Sequence, residues 1–389
     1  MEEKVRDIAL MRRRRKRRQK ILKMISFLVI IAIGINLYVN RDRWIPKLEG
    51  IGTKYHSISQ SKKSKSSGNF PLIISDGVNY SVGDIDKSFA ILSDAYLHIY
   101  SVDGELIDTR QHAYNSAIIE TVGKKAIVYE HGGNSFRVES KHKTVYEKEI
   151  AENILFARIS NDGVVAIVSS SGTYVCMLTV YDASGKEIYR VQSIERIFDL
   201  SFTNDSKGCI TVTIDVDKGR MVSKVNKLSF NSGTTKWVSE QFDSFAIKSF
   251  YTSEGGVFIF GDTKCAYYDN NGQKISEYIY KDKLIGYDFD DGKVAMIFNN
   301  EQKRKNTLVT IKGPNADAIE ISIDEQLKLV DVEGESVYVM TKVDMKTYNF
   351  NGKQTKSKDI SDTYDRFYKM GDYFFLLGYD RIDRLDARY

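Results

Sequence analysis

The sequence predicts an all-β chain: a β-propeller of about eight four-stranded blades, seven being the alternative, behind one amino-terminal transmembrane helix. Three observations predict it. Short runs rich in Val, Ile, Tyr and Phe alternate with polar turns from about residue 70 to the end, and the pattern recurs with a spacing near forty residues. No long helical periodicity follows residue 39. The 24 Tyr and 19 Phe suit pleated, half-buried surfaces, while only three Pro, at 46, 71 and 314, interrupt the chain.

The amino terminus sets a membrane and a direction. Arg12, Arg13, Arg14, Arg15, Lys16, Arg17 and Arg18 stand directly before the apolar run Ile21–Val39, whose 19 residues include one charge, Lys23. About twenty apolar residues cross the hydrocarbon core as a helix, and Lys and Arg beside a span stay on the cytoplasmic side. Residues 1–20 are therefore read as a basic cytoplasmic tail in contact with anionic lipid, and 21–39 as the span. Tyr38 and Trp44 are expected at the outer interface. A cleaved signal peptide is disfavoured because the run ends in NLYVNRDRW, without a small-residue cleavage step.

Residues 40–69 are polar and aperiodic, including SISQSKKSKSSGN, and read as a flexible stalk. Residues 1–50 hold fourteen Lys and Arg against five Asp and Glu, so the whole-chain charge of +5 leaves the remainder at −4. A nucleic-acid partner is excluded on this ground, since such a domain concentrates positive charge on its folded surface.

Within residues 70–389 one unit recurs: an apolar strand, a polar turn, a strand ending in Tyr or Phe, a glycine turn, then a charged strand. The clearest copies begin at Ala90, Val165, Val257 and Ser336, with turn glycines Gly104, Gly185, Gly272 and Gly352, and Gly233 marks a fifth. Degenerate copies span Ala126–Ile150 and Val294–Ile321. The last unit stops at RIDRLDARY without its outermost strand. A propeller must remove that exposed edge, and FPLIIS (70–75) is the candidate to close the ring, which favours eight blades over seven.

The stretches FAILSDAYLHIYSVDGELID, AIVYEHGGNSFRVES, ISNDGVVAIVSSSGTYVCMLTVYDASGKEIYRV and KNTLVTIKG, behind a basic tail and one span, resemble a family of membrane-anchored propeller proteins of unknown function from Gram-positive anaerobic bacteria. More loosely, the chain is similar to surface-layer and quinoprotein-like propellers. The resemblance implies localisation and fold, and it carries over no catalytic residue.

The residues themselves point to no catalytic, cofactor or metal site. Cys176, Cys209 and Cys265 lie in or beside apolar strands, form no C-x-x-C, and read as buried thiols, with one disulfide left open. His56, His98, His112, His131 and His142 show no metal-binding spacing. His131, beside two glycines, is the histidine to inspect. Lys303, Arg304 and Lys305 form a candidate contact loop. Asp215 and Asp217, and Asp288, Asp290 and Asp291, read as hairpin chemistry, because the latter group lacks the spacing and closing Glu of a calcium loop.

Two functions stay open at this level. One is an extracytoplasmic binding or scaffolding module, anchored in the cell membrane, whose propeller face recognises protein or envelope polymer. The other is an enzyme or cofactor-binding propeller, quinoprotein-like or a hydrolase, with its site in the central channel. The first requires no catalytic constellation and is preferred.

Overall fold

The computed structural model describes residues 68–74, 79–302 and 305–388. The basic block Arg12–Arg18, the run 21–39, the stalk before residue 68, and Lys303 and Arg304 lie outside the described residues. Among the described residues no helix is long and apolar enough to cross a membrane.

Strands form here because apolar, β-branched and aromatic residues come in blocks of five to eight punctuated by turn formers. SFAIL (88–92), VAIVS (165–169) and VFIFG (257–261) are buried along their whole length. Such runs lack the alternation of a half-exposed strand because both faces of the strand are covered. The described strands assemble into eight antiparallel sheets of four. In each blade the strand that comes first in the repeat lies innermost and the fourth outermost.

Blades 1 to 7 run 81–111, 117–149, 154–193, 196–238, 246–279, 283–323 and 327–359. Blade 8 combines Tyr364–Met370, Tyr373–Gly378 and Arg381–Asp386 with Leu72–Ile73 from the other end of the chain. The closing strand pairs Leu72 with Ile382 and Ile73 with Arg381, within the segment the sequence marks for that role and shorter than it.

Turns follow local backbone chemistry. Asp291–Gly292 and Lys218–Gly219 take positive φ at both positions, which gives the type I′ twist that two-residue hairpins favour. Gly104, Gly185, Gly272 and Gly352, the repeated glycines, all have φ between 80° and 85°.

The core is not central. It is divided into eight apolar clusters, one at each seam between neighbouring blades. At the closing seam Phe70 meets Phe375 at 5.4 Å, and Phe375 stacks on Phe89 of blade 1 at 4.3 Å. Arg384 of blade 8 lies 4.2 Å from the Tyr373 ring centre and donates to the Asp103 carboxylate of blade 1 at 2.7 Å. Between blades 1 and 2 the fully buried Glu139 pairs with Arg110 at 2.5 Å and Arg137 at 2.6 Å.

Two stability outcomes follow from these contacts. Phe70→Ala, measured by urea unfolding, is expected to cost about 3–5 kcal/mol, the range for emptying an aromatic core position. Glu139→Ala is expected to cost a similar 3–5 kcal/mol or so by leaving two guanidinium groups without their buried counter-ion, and an unchanged midpoint for either variant would contradict the assigned contacts.

Candidate functional site: the channel wall and the upper face

The eight innermost strands run in the same direction and wall the central channel. Their polar side chains join neighbouring blades. Arg158 of blade 3 donates to Glu120 of blade 2 at 2.9 Å and to Asp199 of blade 4 at 2.6 Å. Asp199 also accepts from Lys248 at 3.3 Å, from the Ser249 amide at 2.7 Å and from its hydroxyl at 2.9 Å. Burial alone would push the Asp199 carboxyl up. Lys248 and Arg158, with the Ser249 amide, instead hold it below the ordinary carboxylate range. Across the ring, the Tyr368 hydroxyl of blade 8 donates to Asp84 of blade 1 at 2.6 Å.

The aspartates of YDFDDGK are latches between blades. Asp288 and Asp290 of blade 6 accept from the Val332 and Gly334 amides of blade 7, each at 2.7 Å. Asp291 accepts from the amide and hydroxyl of Ser253 in blade 5, also at 2.7 Å. Asp331, on the adjacent innermost strand, is the irregular member of this wall. Burial, then the Asp288 and Glu333 charges, push its carboxyl up to about 7, against the opposing pull of Lys369. Burial likewise pushes Asp288 up to about 6, although the Val332 amide acts the other way.

The two faces of the ring differ. Because each blade is an up-and-down meander, the turns joining second to third strands share one face with the connections between blades. That face is called the upper face here, and the remaining turns form the lower one. Thirteen of the seventeen exposed large hydrophobic side chains among the described residues sit at the upper face or on the strand ends that reach it, so the apolar surface is one-sided.

Blade 4 supplies the largest departure from the repeat. Its middle strands, Gly208–Asp217 and Arg220–Ser229, are ten residues each, against five to eight in other blades. Burial runs from Gly208 to Thr213 and then gives way to exposure. The last three residues before the tip therefore project about 10 Å at strand rise. Val216 and Met221 lie opposite each other in this overhang, 64 % and 51 % exposed. A cleft of about 820 Å³ opens beneath it, lined by Arg220, Met221, Gln241, Asp243 and Asp262 among others. Nearby, Phe198 and Phe245 pack edge to face at 4.7 Å.

The residues singled out from sequence fall as follows. His131 occupies the turn between the second and third strands of blade 2 and bonds through Nδ1 to the Leu155 carbonyl at 2.9 Å. Lys305 is exposed at the start of Lys305–Ile311 in blade 6. Both belong to the upper face, but blades 2 and 6 stand opposite each other in a ring of eight, so they form no common site. Cys176, Cys209 and Cys265 are free and buried in blades 3, 4 and 5. Burial raises all three thiols, Cys265 to about 12. Asp215 and Asp217 lie on the projecting hairpin, a length signal that GCITVTIDVDKGRMVSKVNKLSF carried and that their acidity masked.

The class is thus an eight-bladed β-propeller, closed by its amino-terminal strand, with a polar channel wall and one apolar loop-bearing face. The chain belongs to the family of unknown function DUF5711, which it matches over residues 53–385. No curated protein is detectably similar in sequence. Solved structures share the fold. BamB from Moraxella catarrhalis has 11% identity and a TM-score of 0.55, and the computationally designed Ika8 protein has 10% and 0.62. Sqt1 from Saccharomyces cerevisiae has 9% and 0.60; each match covers 83% of this chain and 100% of the other.

The Asp331 environment gives a pH dependence of defined sign. Its native pKa lies above that of an unfolded carboxyl, so between about pH 4 and 7 the native state binds more protons than the unfolded chain. Stability from this group is complete below that window and is lost as pH rises through it. Asp331→Asn should therefore stabilise the protein at pH 8, on the order of 2 kcal/mol, and change little at pH 4. Thermal melts at the two pH values check this, and an equal shift at both would contradict it.

Proposed function

We propose that the protein is a membrane-anchored, extracytoplasmic binding or scaffolding module that recognises a protein partner or envelope polymer through the upper face of its propeller. The observation that carries this reading is the one-sided distribution of exposed apolar side chains, centred on the blade 4 overhang. Large exposed apolar patches mark interaction surfaces, and departures from a repeat concentrate on the binding face of repeat proteins. Residues 68–70 run along the lower rim, where the Asn69 amide bonds to the Asp103 carbonyl at 2.8 Å, so these residues themselves leave the upper face uncovered. A protein partner is preferred because the exposed groups include Tyr174, Phe198, Met221 and Tyr379, aromatic and methionine side chains of the kind enriched at protein interfaces.

The anchor and direction rest on the sequence: the Ile21–Val39 run and the Arg12–Arg18 block beside it. The basic block holds the amino terminus in the cytoplasm and touches anionic lipid. A second reading, an enzyme or cofactor-binding propeller acting in the channel, is favoured by one feature: the adjacent Asp288 and Asp331 carboxyls raised towards neutrality.

A photo-crosslinking residue placed at Val216 or Met221 in native membranes should capture one discrete partner, whereas placement at Lys207 on the lower face should not. Equal yields at both faces would contradict upper-face docking. In intact cells, protease added outside should digest the propeller, and full protection would contradict the orientation.

A further inference from the structure

The seam between blades 4 and 5 holds a cation for which the fold supplies no counter-ion. Lys227 stands on the third strand of blade 4 opposite Ile210 and reaches into blade 5. The residue in that place is neutral in blades 1 to 3 and 5 to 7, namely Ile99, Val138, Val180, Tyr267, Thr310 and Thr347. In blade 8 it is Arg384, opposite Phe375, and there the next blade provides the matching charge. Arg384 donates to the carboxylate of Asp103, which precedes the turn glycine Gly104, at 2.7 Å. Lys227 reaches the corresponding turn of blade 5, where Asn270 and Asn271 precede Gly272. It donates to the Asn270 side-chain oxygen and, at 3.1 Å, to the Tyr251 hydroxyl. Asp269 of that turn is taken up by the Asn271 and Gln273 amides at 2.9 and 2.8 Å.

Two neutral acceptors leave one of the three ammonium hydrogens of Lys227 unused. Beside it a cavity of about 440 Å³ opens on the lower face, between the turns at 203–208 and 252–256. Lys207 and Lys236 stand exposed on its wall, and among the described residues neither they nor Lys227 form an ion pair. Two acids also line the cavity. Asp205 is engaged within its own turn, where it accepts from the Thr203 hydroxyl at 2.7 Å and the Lys207 amide at 3.1 Å. Glu254 lies across from it on the blade 5 turn. Three ammonium groups against two carboxylates leave this cavity positive in a domain that is negative as a whole.

Burial strips water from an ammonium, and a fold that does this without offering a carboxylate is complementary to an anion arriving from solution. Lysine, a compact point charge, suits the oxygens of a phosphate. We propose that this seam binds a small polyol carrying one phosphate, with the phosphate on Lys227 and the Lys207 and Lys236 ammonium groups around it. The cavity is larger than a bare phosphate needs, and the Ser229 hydroxyl, the Asn231 amide and the Glu254 carboxylate on its wall suit the hydroxyls of a polyol. Glu254 opposes a second phosphate. The site lies on the lower face and is independent of the upper-face reading.

The test uses the full-length chain in a non-ionic detergent and a phosphate-free buffer. Glycerol 3-phosphate, titrated by calorimetry, should bind saturably at one site and more weakly as salt is raised. Glycerol should not bind, and inorganic phosphate should bind about tenfold more weakly for want of the hydroxyl contacts. Asn270→Asp keeps the side-chain size and gives Lys227 the internal carboxylate that Asp103 gives Arg384. It should weaken glycerol 3-phosphate about tenfold while the melting temperature holds or rises. Lys227→Met places a neutral side chain where six other blades have one, and should weaken the ligand by a similar factor. No saturable binding, glycerol or inorganic phosphate binding as well as glycerol 3-phosphate, or affinity unchanged in both variants would overturn the proposal. Glycerophosphoglycerol resolves the source: affinity equal to that of glycerol 3-phosphate supports a lipid or polymer headgroup, while much weaker binding supports a free phosphate monoester.

Discussion

Everything in this molecule depends on the ring being closed. A blade is a four-stranded sheet with apolar side chains on both faces, and no blade can hide both by itself. Each seam buries one face of two neighbours, and the eighth seam forms only because Leu72–Ile73 returns to the last blade and brings Phe70 against Phe375. Without that return two apolar faces stay in water and an unpaired strand edge with them, a situation that sheet proteins avoid. Arg384, reaching from blade 8 to Asp103 in blade 1, fastens the same seam through charge.

Closure brings polar side chains together at the axis, where eight innermost strands crowd around a narrow space. The chain satisfies most of them across seams, as in the run from Glu120 through Arg158 and Asp199 to Lys248. These ion pairs set the relative position of neighbouring blades, because a carboxylate that accepts an amide on the next innermost strand fixes the register of both. Asp288 does this with Val332. Asp331 has carboxylates rather than donors as its main charged neighbours, and it is there that the wall stores an unfavourable charge. Lower turns carry such latches as well, as where Asp291 accepts from Ser253, while the blade 4 overhang stands at the upper face.

How much of this was legible in the sequence follows from the range of each interaction. The blades were legible because a strand buried on both faces writes its burial as an unbroken apolar block, as in VFIFG (257–261). The closing strand was legible as a deficit, a last unit one strand short. The channel network was not, since Arg158 and Asp199 are 41 residues apart and nothing local in either strand marks the partnership. YDFDDGK was read as hairpin chemistry, which holds for Asp291–Gly292, while the inter-blade roles of its aspartates depend on neighbours 38 to 44 residues away. The upper face was invisible for a related reason: Ile194, Val343 and Tyr379 stand in separate turns and Val216 on the blade 4 overhang, and only the meander brings them to one face.

The central claim is that eight blades share one cooperative, ring-closed core. Native-state hydrogen exchange tests it most directly, by following the amides of the second strands, such as Ser88–Leu92 in blade 1, Val257–Gly261 in blade 5 and Tyr373–Gly378 in blade 8. The account predicts that the slowest amides of all eight blades report a single opening free energy equal to that of global unfolding. Blades 1 and 8 opening separately, at free energies well below the rest while the others stay protected, would contradict it and would mean that the seam at Leu72–Ile73 does not hold the ring.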